Sequence, residues 1–164
     1  MPHQDEVDRI VAAWGRQRDD LDFAPLQVLS RVDRLARRLD RARRAAFDAS
    51  GMEPWEFDVL SALRRAGEPY ELSPKALLQQ TLVSSGTMTN RVDRLTAGGL
   101  VARRTDPKDG RGILVSLTDA GRTAVDSAIA DLLQAERDIL TVVSGGEQDQ
   151  LAGLLRRVIL GLGD

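Results

Sequence analysis

Residues 84–95 read Ser84-Ser-Gly-Thr-Met-Thr-Asn-Arg-Val-Asp-Arg-Leu95, and residues 105–112 read Thr105-Asp-Pro-Lys-Asp-Gly-Arg-Gly112. At about 100° per residue, Met88, Val92 and Leu95 fall within about 60° of one another, a stripe for burial. Gly86, Thr87, Asn90 and Arg94 lie on the other side, with Thr89 nearby. Small residues let a helix backbone approach a groove, and Asn and Arg form bidentate pairs with adenine and guanine edges. Ser84, Ser85 and the open N–H groups of the first turn suit phosphates, as do Ser73 and Lys75 one helix earlier. An amphipathic helix with a solvated face reads the same way, so the loop has to separate the two. There Arg104, Lys108 and Arg111 cluster on a hairpin, with Gly110 and Gly112 flanking Arg111. An arginine on such a tip fits the narrow minor groove, and Asp109 is placed to brace it.

Working outward, Ser73-Pro74 opens a short helix over 74–80, and the helix from 84 stops at Gly98-Gly99. Residues 100–104 and 113–117 read as two strands. Thr118-Asp-Ala-Gly121 caps a long helix to about 143, Gly145-Gly146 breaks it, and a last helix covers 147–162. Upstream, a short amphipathic helix lies within 5–19, with Val7, Ile10, Val11 and Trp14 as its stripe. A long helix follows over 24–50, its surface loaded by Arg31, Arg34, Arg37, Arg38, Arg41, Arg43 and Arg44. A further helix over 53–66 carries the stripe Phe57, Leu60 and Leu63. Two helices joined by a tight turn and followed by a hairpin make the winged helix-turn-helix plan. The fold class is mainly α with a small β-hairpin wing.

The 164 residues carry a net charge of -2, 42% hydrophobic and 29% charged residues, so any DNA affinity has to be local. No cysteine is present and His3 is the only histidine, which excludes disulfides, thiol switches and a multi-His metal cluster within one subunit. No nucleophile–base motif or phosphate-binding glycine loop appears. No enzyme, metal or cofactor is expected. No apolar run spans a bilayer and no leader is visible, which implies no membrane partner and a cytoplasmic address. The C-terminal helices carry Val125, Ile129, Leu132, Leu133, Leu151, Leu154, Leu155, Val158, Ile159 and Leu162. That exceeds what two helices need against a small reading head, and a symmetric homodimer is the natural outlet.

The runs Gly86-Thr-Met-Thr-Asn-Arg-Val-Asp-Arg-Leu95, Gly99-Leu-Val-Ala-Arg-Arg104, Asp106-Pro-Lys-Asp-Gly-Arg111 and Val115-Ser-Leu-Thr-Asp-Ala-Gly121 resemble the MarR family of bacterial regulators. The resemblance covers nearly the whole chain. It implies a helical homodimer on a palindromic double-stranded DNA operator, joined by N- and C-terminal helices. The implied organisation is residues 1–50 for dimerisation and a possible effector pocket, 51–117 for the DNA-binding domain and 118–164 for dimerisation. Some members carry a second wing arginine where this chain has Gly110, leaving Arg111 as the main minor-groove residue.

Trp14, Asp58 and Arg91 invite an effector reading. Asp58 lies about 160° from Leu60, off the core stripe, and Arg91 lies at the edge of the buried stripe of its helix. Arg91 suits a small planar or carboxylate anion, with Asp58 orienting it and Trp14 stacking or donating its indole N–H. A plain Asp–Arg ion pair beside a packing Trp is the other reading. The positions match those of a urate-responsive subfamily with an added N-terminal helix, and the resemblance implies a repressor released by an anion. A regulator without an effector and an interaction module that no longer binds DNA are the alternatives.

Overall fold

A computed structural model describes residues 4–81, 83–107, 109–110 and 112–163. The chain divides into two compact units, residues 1–42 and 43–164, with the boundary inside helix α2 (Ala24–Ala49).

In the first unit, α1 (Glu6–Gln17) starts at an N-cap aspartate. An Asp5 carboxylate oxygen accepts from the N–H groups of Val7 (2.8 Å) and Asp8 (3.1 Å), and the Asp8 carboxylate accepts from the Asp5 N–H (2.9 Å). This reciprocal capping satisfies donors that a helix start leaves open. Arg31 on α2 binds the carboxylates of Asp5 and Asp8, each at 2.8 Å, and Arg34 binds Glu6 at 3.2 Å. Guanidinium bonding holds the Asp5 and Glu6 carboxyls below their usual range. Of the expected α1 stripe, Val7 alone is buried; Trp14 is half exposed and stacks on Phe23 at 6.1 Å.

The second unit is built around α3 (Pro54–Arg65), whose Val59, Leu60, Ala62 and Leu63 are all 0% exposed. Helix α3 is buried on more than the expected stripe because α4 (Pro74–Thr81), α5 (Ser85–Ala97), α6 (Asp119–Leu140) and the sheet all contact it. At the end of α2, Phe47 stacks on Phe57 at 4.7 Å. The strands β1 (Glu71–Leu72), β2 (Val101–Thr105) and β3 (Ile113–Leu117) form an antiparallel sheet in the order β1-β3-β2. In its registers Glu71 pairs with Ser116 and Arg103 with Val115. Two residues are too few to show an alternation, so β1 left no signal in the sequence.

Thr118 joins the wing to α6. Its Oγ1 donates to the Gly99 carbonyl (2.7 Å) and accepts from the Gly121 N–H (3.0 Å), and its own N–H reaches the Leu100 carbonyl (3.1 Å). Gly99 closes α5 at φ +72°, a left-handed position that suits glycine.

The expectation that Gly145-Gly146 breaks the long helix, with the last helix starting at 147, is corrected. Both glycines lie in the first turn of α7 (Gly145–Leu162). Ser144 caps that helix, with Glu147 accepting from the Ser144 N–H and hydroxyl at 2.7 Å each. The interruption therefore falls at 141–144, between the end of α6 and the capped start of α7. No α7 residue is buried, and Leu154, Val158, Ile159 and Leu162 are each at least half exposed.

Candidate nucleic-acid interface

Helices α4 and α5 and the β2–β3 wing are contiguous parts of the second unit. Met88, Val92 and Leu95 are 2%, 2% and 0% exposed, as the spacing requires, and their burial fixes the rotation of α5. Ser84, Ser85, Gly86, Thr87, Thr89, Asn90 and Arg94 are thereby exposed. The Ser84 hydroxyl caps α5, accepting from the Thr87 N–H at 3.3 Å and lying 2.9 Å from the Thr87 hydroxyl. Thr89 donates to the Ser85 carbonyl at 3.1 Å. No Cβ added at Gly86 would meet anything within 4 Å, so the backbone at the head of α5 is open to a groove.

Other expected residues are partly engaged. The Ser73 hydroxyl accepts from the Ala76 N–H at 3.2 Å and caps α4, while Lys75 is exposed. Arg104 grips Glu71 of β1 through two guanidinium bonds, so in the DNA-free protein an acid already occupies it. Sequence reading missed Glu71 because the strand carrying it left no pattern. Arg103 pairs with Asp93 of α5 at 2.5 Å and ties the wing to the helix. In the wing loop, the Asp106 N–H donates to the Gly112 carbonyl (2.8 Å) and the Gly112 N–H to the Asp109 carbonyl (2.7 Å). Lys108 and Arg111 lie outside the described residues.

Arg94 has a neighbour that no spacing rule could supply. Its guanidinium carbon lies 4.5 Å from the centroid of the Trp55 ring, and that of Arg91 lies 5.7 Å from the same centroid. Trp55 sits in the first turn of α3, behind Pro54. Cation–π contact at this range is attractive and holds a guanidinium over the ring.

Beside that ring is an open cavity of about 750 Å³, whose walls include Arg44, Asp48, Met52, Trp55, Asp58 and Arg91. Asp58 is exposed and Arg91 half-buried. Two of the three proposed effector residues therefore share one cavity. The expected Asp58–Arg91 ion pair is not made: among the described residues no bond joins them, and the Arg91 Nη1 is buried without an acceptor. Trp14 belongs to the first unit, where it borders a shallow cleft with Ile10, Ala13 and Gln17.

The sequence model of the MarR family matches residues 50–112. The chain is 35% identical over 153 residues to the HTH-type transcriptional regulator PecS of Dickeya dadantii, covering 93% of this chain and 92% of that protein. It is 31% identical over 143 residues to the HTH-type transcriptional repressor NicR of Pseudomonas putida, covering 85% and 89%. Among solved structures, that of Bordetella bronchiseptica BpsR, determined for the regulation of its DNA binding by 6-hydroxynicotinic acid, matches with a TM-score of 0.67. Identity there is 27%, covering 84% of this chain and 96% of that one. Among the described residues, no helix is long and apolar enough to cross a membrane.

Proposed function

Since the chain belongs to the MarR family of winged-helix transcriptional regulators, we propose that it is a homodimeric repressor of a palindromic operator, released by a small planar or carboxylate anion at Arg91. The observation that carries the effector reading is that Arg91, whose Nη1 is buried with no hydrogen-bond acceptor, lines a cavity large enough for a small aromatic anion. A buried donor without a partner costs about 1–3 kcal/mol, more when charged. An entering oxyanion supplies the missing acceptor and a charge-assisted bond. Asp58, which lines the same cavity, then accepts from an N–H or O–H of the ligand.

The DNA reading rests on the face of α5. Asn90 and Arg94 read base edges, Thr87 and Thr89 line the approach, and Ser73, Lys75, Ser84 and Ser85 take phosphates. In this reading Arg104, Lys108 and Arg111 serve the wing. The exposed apolar residues of α7 support dimerisation, which sets two α5 helices about 34–36 Å apart for successive major grooves. Arg91 is on the same helix as Asn90, so an anion that draws Arg91 inward displaces the reading face. A coupling of about 1–3 kcal/mol suffices, a 5- to 150-fold loss of affinity. BpsR, whose DNA binding is regulated by an aromatic acid, supports the chemistry.

The test is a footprint on the DNA upstream of the protein's own gene, with and without urate and aromatic carboxylates. A protected palindrome lost on adding an anion, with Arg91→Ala bound but unresponsive, is the expected result. Protection that no anion alters, in wild type and Arg91→Ala alike, overturns the effector half. No protection overturns the DNA half.

A further inference from the structure

We infer that Trp55 is a positioning residue for operator binding: its ring holds Arg94 for the DNA and, through the shared ring, ties Arg94 to the state of Arg91. The inference deepens the DNA reading above and rests on it, but needs no effector. Three observations meet at this ring. Arg94 and Arg91 both lie over it, at 4.5 and 5.7 Å. Arg91 has a buried, unpartnered Nη1 and, among the described residues, no ion pair, which leaves the ring as a contact of its charge. Trp55 packs partly buried against the core through α3, the most buried helix of the unit, so it is a fixed platform.

The consequence is physical. Arg94 is exposed on the last turn of α5, and a free arginine there samples many rotamers that DNA binding would have to restrict. Stacking over a fixed ring restricts them beforehand and leaves the guanidinium edge free to donate. Two cations at one ring also repel each other. Any change that moves or neutralises Arg91 therefore shifts the position of Arg94, without contact between the two side chains.

The test is a set of double-mutant cycles on operator Kd, measured by anisotropy at fixed salt without ligand, with Trp55→Leu, Trp55→Phe, Arg91→Met and Arg94→Met. Trp55→Leu is expected to weaken binding roughly two- to thirty-fold, the range of one cation–π contact. Trp55→Phe, which keeps a ring, recovers most of that loss. In the Arg94→Met background Trp55→Leu costs nothing further, and Arg91→Met alters affinity only while a ring stands at 55. A merely structural Trp55 would give the same loss with or without Arg94; such independent losses overturn the inference. Should Trp55→Leu fail to fold, Trp55→Met, which also removes the ring, carries the same cycle. A wild type that binds no operator overturns the DNA reading and this inference together. Binding with uncoupled losses overturns this inference alone.

Discussion

The carbonyl oxygen of Leu100 lies 2.0 Å from where a Cβ on Gly121 would stand. The backbone between α5 and the wing passes directly over the first turn of α6, and glycine alone permits it. Gly121→Ala has to push that backbone away and disturb the Thr118 bonds. We expect a loss of about 3 kcal/mol, the upper end for overpacking. That lowers Tm by about 6–12 °C in a chain of this size, read by calorimetry at equal protein concentration. Gly86→Ala meets nothing within 4 Å and is expected to leave Tm unchanged or raise it slightly. Its effect falls on operator affinity, where the added methyl stands between helix and groove.

Acid loosens α1. Arg31 holds Asp5 and Arg34 holds Glu6, and both carboxyls are depressed. A depressed acid stabilises the folded form above its unfolded pKa, and that contribution disappears as pH falls through the folded value. The loss therefore begins near pH 4 and completes below it. Lower amide-exchange protection factors in residues 6–17 on acidification, with a smaller pH dependence in Arg31→Gln because Asp5 is then less depressed, are the expected outcome. Exposed pairs contribute little to global stability, so the main unfolding transition of the second unit is expected to stay in place.

Asn90 and Lys75 are expected to separate base reading from phosphate contact. Asn90→Ala is expected to cost about 1–3 kcal/mol on the operator and to relax preference at one base pair per half-site. Lys75→Ala is expected to weaken all sequences alike and to lower the salt slope of log K by about one. Binding to operator and scrambled duplexes between 50 and 200 mM salt, roughly the range over which such slopes are clear, checks both.

Glu71 restrains Arg104. The acid is largely sheltered beneath the guanidinium, with 13% of its side chain exposed. Glu71→Gln keeps the shape and removes the competing charge. Operator affinity is expected to rise about two- to five-fold, the worth of a partly exposed ion pair. Glu71→Gln combined with Arg104→Gln is expected to lose that gain.

Charge on α7 is expected to break the proposed dimer. Leu154 and Val158 are 56% and 50% exposed one turn apart. Leu154→Glu with Val158→Glu places two carboxylates per subunit on the proposed contact, four where the subunits meet. Analytical ultracentrifugation is expected to show monomer, and operator binding is expected to fall with it.

The sequence by itself determined the elements that local chemistry specifies. The spacing of Met88, Val92 and Leu95 set the rotation of α5 and thereby exposed Asn90 and Arg94. Thr118 announced the start of α6, Ile113 to Leu117 read as a strand, and Asp58 fell off the core stripe. Helix periodicity, caps and alternation act over a few residues and are visible in a linear string. Partnerships between elements are not. The grip of Glu71 on Arg104, the tie between Arg103 and Asp93 and the two arginines over Trp55 join residues 10 to 39 positions apart, whose approach depends on how α3, α5 and the sheet pack. Asp58 and Arg91 illustrate the limit: residue type suggested an ion pair, and tertiary structure placed both along one cavity without joining them. An arginine takes whichever partner the packed backbone presents, and for Arg91 that is the face of Trp55.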